Sequence, residues 1–217
     1  MKFLIFLILA FSFPTFALDE SSKYSAELIF IILKLVKIVV FLIGLTVFIG
    51  AFVYMIKITT EGQKVSPLSV AIMVLAGALL MNTDTALSTF GNTFFDKSGS
   101  ANVCYIVEES GLSNSCFSNE MSGLSGQLKN RIEKSSGAAT SELFISKVKI
   151  ILGILQLIGF VYFCVGVYGL VEVSRGSNKD GGYGKSITTM LASSLIVDLP
   201  HTMQNAMNTL EKIGVNF

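Results

Sequence analysis

Runs of apolar residues and the short polar breaks between them divide the chain into a plan that occurs twice. Ile38–Ile56 is 19 residues without a charge, close to the roughly 20 that an α-helix needs to cross a hydrocarbon layer about 30 Å thick, and predicts a transmembrane helix. Lys57, Glu61, Gly62 and Lys64 then make a polar turn. Ser66 offers an N-cap to the next helix and Pro67 opens it, since a first-turn proline gives up an amide that had no partner. Val65–Thr83 is again 19 uncharged residues. In lipid every backbone polar group must be satisfied internally, so two such runs joined by a tight turn predict a helical hairpin.

The second occurrence starts with Ile150–Val171, 22 uncharged residues, turns through Glu172, Arg175, Gly176, Lys179 and Asp180, and re-enters at Ser186. Small residues seven apart lie in both long runs: Gly44 and Ala51 in the first, Gly159 and Gly166 in the second. Asn92-Thr93 has its counterpart in Asn208-Thr209. The economical explanation is an internal duplication. Only Ser186–Val197, 12 residues, stays uncharged before Asp198, Pro200 and His201, so that last segment either spans with help from its neighbours or is re-entrant. The expected fold is therefore an all-α membrane protein, two tandem transmembrane hairpins over 18–95 and 147–217 joined by a loop over 96–146. Four membrane segments follow from it.

Composition agrees with that class. Of 217 residues 52% are hydrophobic and 14% charged, with a mean hydropathy of +0.67, which belongs to membrane proteins rather than soluble domains. Sixteen basic against fifteen acidic residues leave a net charge of +1, so no global field favours a nucleic-acid partner. Placement of charge decides more. Lys2, the apolar Phe3–Phe13 stretch and Pro14-Thr15-Phe16-Ala17 describe a secretory signal over 1–17 with cleavage after Ala17, an uncleaved anchor being the rival reading. Lys57 and Lys64 in one short turn, and Arg175, Lys179 and Lys185 in the other, make both turns basic and hence cytoplasmic. The 96–146 loop and both termini are then expected outside the cytoplasm, in the periplasm.

The loop is rich in Ser, Gly and Asn, with apolar patches at 103–107 and 124–128 and one expected helix over 125–134. Cys104 and Cys116 in an exported loop read as a disulfide, stabilising by about 3 kcal/mol in the chain-entropy model; two unpaired thiols are the alternative. Cys164, inside an apolar run, reads as a packing residue. His201 is the only histidine, so a His-based metal site or relay would have to be assembled across subunits, and beside Asp198 and Pro200 it reads as part of a helix-end polar cluster. Asp84 and Asp198 end the apolar runs of the two copies and read as orienting or packing groups at the membrane margin. Lys34 and Lys37 precede the first span and either snorkel to the interface or line a polar seam. Gly123-Leu124-Ser125-Gly126 is similar to the run around the serine of rhomboid proteases, but it stands in a hydrophilic loop, where that chemistry has no membrane helix to work from. No catalytic, cofactor or metal residue is assigned. Stripes at helical spacing, Ala86, Phe90 and Phe94, then Leu199, Met203, Ala206 and Leu210, predict amphipathic extensions on the outer surface or against a partner.

The order of parts resembles the small membrane proteins of type IVB (Dot/Icm-like) secretion and conjugal transfer systems, the IcmC/DotE/DotV kind. It is carried best by Gly184-Lys185-Ser186-Ile187, Leu195-Ile196-Val197-Asp198-Leu199-Pro200 and the 202–210 tail. The first copy has Ser66-Pro67-Leu68-Ser69 and Gly77-Ala78-Leu79-Leu80 but ends in Asn82-Thr83-Asp84 where the pattern has Leu-Pro. The resemblance implies a non-enzymatic inner-membrane subunit of a secretion or conjugation apparatus, without cofactors, whose partners are other secretion-system membrane subunits, the lipid bilayer and possible further copies of itself. The face carrying Gly44, Ala51, Gly159 and Gly166 is the expected helix-packing and assembly seam, because small residues let backbones approach in lipid. The competing expectation is a small transporter or channel built from two parallel repeats.

Overall fold

The computed structural model describes residues 22–61, 67–95, 103, 105–108, 111–112, 138–177, 182–199 and several positions between 202 and 214. Nearly all of it is helical. Helix α1 is Ser22–Glu61 (40 residues), α2 Pro67–Met81 (15), α3 Thr83–Phe95 (13), α4 Ala138–Ser174 (37) and α5 Gly182–Val197 (16). Two short strands, β1 Val107–Glu108 and β2 Gly111–Leu112, pair antiparallel with Val107 opposite Leu112. The expected signal segment, the 125–134 helix, Cys104, Cys116 and His201 lie outside the described residues.

Among the described residues two helices are long and apolar enough to cross a membrane, Tyr24–Lys57 within α1 and Ser146–Ser174 within α4. A third span results only if the bent pair α2 and α3, which meet at 102°, is counted as one. At 1.5 Å per residue, α2 and α5 reach about 22 and 24 Å, less than a 30 Å hydrocarbon layer, so neither described helix crosses such a layer unaided. The long helices also start earlier than the uncharged runs. α1 begins at Ser22, not near Ile38, and α4 at Ala138, ahead of the expected second-hairpin start at 147. Charge sets where lipid can begin, whereas the backbone ladder continues as long as one face finds cover. For α1 that cover comes from β1: Ala26 and Ile29 are buried with Val107 against Ile150 and Ile154 of α4.

Each long helix packs antiparallel on the short helix that follows it. A Cβ added at Gly44 would lie 2.8 Å from Leu80 Cβ and from the Met81 backbone nitrogen, and Gly77 meets Phe48 in the same way. In the second pair Gly159 faces Ile196 and Val197, and Gly166 faces Met190. The two crossings involve positions displaced by 115 residues on the long helix and 116 on the short one (44 and 159; 80 and 196). α4 touches both helices of the first pair, and Phe160, Phe163, Val167 and Val171 of α4 are buried in the common core with Met73, Leu80 and Met190. α4 is thus the central helix.

Candidate functional site: a polar joint at one end of the bundle

α2 ends at Met81 and the chain turns by 102° into α3. Asn82 serves both helices: its N–H donates to the Ala78 carbonyl (3.1 Å) while its own carbonyl accepts from Ala86 N–H (2.9 Å). The bend puts Asp84 in the first turn of α3, where a carboxylate is favoured by the exposed amides and the helix dipole. Because α1 runs antiparallel to α2, Lys37 arrives at the same level. Its Nζ lies 2.9 Å from Asp84 Oδ1 and 3.0 Å from Oδ2.

The segment after α3 returns to this point. Tyr105 donates its hydroxyl to Asp84 Oδ1 at 2.7 Å, and its ring lies under the Lys37 ammonium, 4.3 Å from centroid to Nζ; the Phe160 ring of α4 is 5.9 Å away. Burial, and then the adjacent Asp84 carboxylate, push the Tyr105 phenol far above its usual range, so it stays a protonated donor. One residue on, Ile106 is fully buried and its N–H donates to Gln156 Oε1 (2.9 Å). The Gln156 Nε2 in turn donates to the Val197 carbonyl at the end of α5 (2.8 Å). Gln156 is 1% exposed. One side chain of α4 thus ties the returning loop to the short helix of the second pair. Asp198, in the turn after α5, is buried, and Gly91 of α3 approaches its carboxylate closely enough that a Cβ there would lie 3.3 Å from Oδ2.

The joint therefore collects Lys37, Asp84, Tyr105, Gln156 and Asp198 from α1, α3, the loop, α4 and the end of α5. Chemically it is a clamp: a carboxylate holding an ammonium and a phenol, and an amide satisfying two backbone groups that would otherwise be orphaned in an apolar setting. Among the described residues no group of three or more His, Cys, Asp or Glu lies close enough to hold a metal ion.

The small residues expected to form a seam with other subunits lie elsewhere and are filled from within the chain. Gly44 abuts Leu80, Ala51 is fully buried, Gly159 abuts Ile196 and Gly166 abuts Met190. They are where each long helix touches its own short partner, so that face is already occupied within the chain. Lys37, expected to snorkel to the interface or line a seam between subunits, turns inward to Asp84, while Lys34 remains exposed and lies 6.0 Å from the Phe30 ring. Asp84 and Asp198 sit at helix ends, and Cys164 is a buried free thiol in the core. Sequence reading overlooked Gln156 and Tyr105. Gln156 had a signal, being the one amide in an uncharged 22-residue run; Tyr105 had none, since its neighbours Val103 and Ile106 mark only an apolar patch. The serine run at 122–126 lies outside the described residues.

Comparison with protein-family models, with curated proteins and with solved structures finds no match to the chain.

Proposed function

We propose that the chain is a non-enzymatic, multi-pass inner-membrane subunit of a secretion or conjugation apparatus of the type IVB kind, contributing helices to its assembly, with the long loop and both termini in the periplasm. The reading rests on the sequence resemblance given above and is supported by one structural observation: the polar groups at the membrane level hold the chain's own elements together, while one whole flank of α1 is left apolar and open. Leu35, Ile38, Leu42, Ile49 and Ile56 are each exposed by more than half, which suits a helix that meets lipid and neighbouring membrane subunits. The matching crossing positions of the two helix pairs favour their origin by duplication.

The break between α2 and α3 with its ion pair is the observation that favours a transporter built from repeats, since such proteins bind ions at broken helices. Those sites lie near the bilayer midplane, however, whereas Lys37 immediately precedes the uncharged Ile38–Ile56 run and the break lies level with it. The margin suits a joint better than a transport site.

The test is affinity purification of a tagged chain from the membranes of its own host after mild crosslinking, beside a deletion strain. Recovery of other membrane subunits in fixed proportion, together with loss of export in the deletion, is the expected result. Purification of the chain alone, coupled with solute uptake by liposomes that contain nothing else, overturns the reading in favour of the transporter.

A further inference from the structure

The 102° turn at Asn82 leaves a wedge between α1 and the α2–α3 corner, an open recess of about 320 Å³. Its lining is ordered along the membrane axis. On α1 the lysines 34 and 37 precede Ile38 and Phe41; on the antiparallel partner Met81 precedes Asn82 and Thr83. The apolar residues therefore lie on the side of the uncharged run and the polar ones beyond its end. Ile38 and Phe41 are 56% and 43% exposed, so the apolar half opens outward to the hydrocarbon.

Charge at the polar half is unbalanced. Both oxygens of Asp84 are within 3.0 Å of Lys37, which neutralises that ammonium, whereas Lys34 has no carboxylate partner among the described residues and only the Phe30 ring near it. We infer that this recess binds an anionic glycerophospholipid, its phosphate against Lys34 and the Asn82–Thr83 corner and its first acyl carbons over Ile38, Phe41 and Met81. A wedge at the edge of the hydrocarbon layer cannot stay empty in a membrane, and a lysine at headgroup level selects the charge of what fills it. The inference requires membrane insertion of α1 but is independent of the secretion reading.

Native mass spectrometry of the purified full chain, titrated with phosphatidylglycerol or phosphatidylcholine of the same acyl length, tests it. The parent should retain phosphatidylglycerol preferentially, and Lys34→Gln should lower that occupancy by about fivefold, the effect of one lysine near an anionic surface, without changing phosphatidylcholine. Lys34→Arg should keep the preference. Lys57→Gln, the same charge change at the other end of the span, should leave it intact, and the helical circular dichroism of each variant should match the parent. Equal retention of both lipids by the parent, or an equal loss in Lys34→Gln and Lys57→Gln, overturns the site. Displacement of the lipid by millimolar inorganic phosphate overturns the lipid as ligand, because a free anion would then suffice.

Discussion

The two helix pairs share a plan and differ in how they are covered. In the second, half of the 18-residue apolar stretch within the α4 span is buried inside the molecule; in the first, only 22% of the corresponding stretch of α1 is. Their ends differ in parallel. The first pair is closed by an ion pair whose side chains are 28% and 57% exposed, the second by a fully buried amide bridge from Gln156. A charged pair can sit at the rim because water and headgroups still solvate it, but under the loop only neutral hydrogen bonds are cheap to bury. The difference teaches which helix is scaffold and which faces outward: equal hydropathy conceals unequal roles, and burial separates them.

That comparison can be broken or sharpened at several points. If the pairs are parallel copies, their turns lie on one side of the membrane, an all-or-none matter. Single cysteines at Gly62 and Gly176 should both resist a membrane-impermeant thiol probe in intact spheroplasts and both react after lysis; labelling of just one would end the equivalence. Next in size are the crossings. An added side chain at Gly44 collides with the backbone of Leu80 and Met81, whereas one at Gly159 meets side-chain methyl groups of Ile196 and Val197 at 3.0 and 3.1 Å. Side chains can yield where backbone cannot, so Gly44→Ala should destabilise by about 1–3 kcal/mol and Gly159→Ala by distinctly less, measured by steric trapping in bicelles. The double variant Gly159→Leu with Gly166→Leu should still insert yet disrupt the second pair itself, before any contact between subunits is considered.

Gln156→Leu leaves the Ile106 N–H and the Val197 carbonyl without this partner, a cost of about 1–3 kcal/mol for each orphaned group. Hydrogen exchange at Ile106 should accelerate accordingly, and an unchanged rate would show that the amide bridge does not hold the loop. Lys37→Gln or Asp84→Asn should cost least, about 0–1 kcal/mol, as for other partly exposed pairs. Tyr105 adds a pH signature to the same joint. Its phenol is held above the ordinary value of 10.0, so the folded state keeps a proton that the unfolded chain releases. The stabilisation is complete below about pH 10 and declines as pH rises further. A melting-temperature series from pH 9 to 11 should fall less steeply in Tyr105→Phe than in the parent.

The sequence by itself determined that the chain is helical and membrane-embedded, because uncharged runs such as Ile38–Ile56 and Ile150–Val171 can satisfy their backbones in lipid in only that way. It also marked the turns, through Pro67 and the glycines that follow α4; Gly176 takes φ +73°, a left-handed conformation that side chains resist. Spacing showed that Gly44 and Ala51 share a face, and Gly159 and Gly166 another, but spacing within one helix carries no information about what lies across from it. Only the tertiary structure decided that these faces meet the chain's own short helices, that α1 and α4 continue well beyond their uncharged runs, and that Lys37, Asp84, Tyr105 and Gln156 converge although up to 119 positions separate them in the chain. Such convergence depends on the bend at Asn82 and on the loop turning back between α1 and α4. Both are set by the packing of several elements at once, which no local pattern of polar and apolar residues encodes.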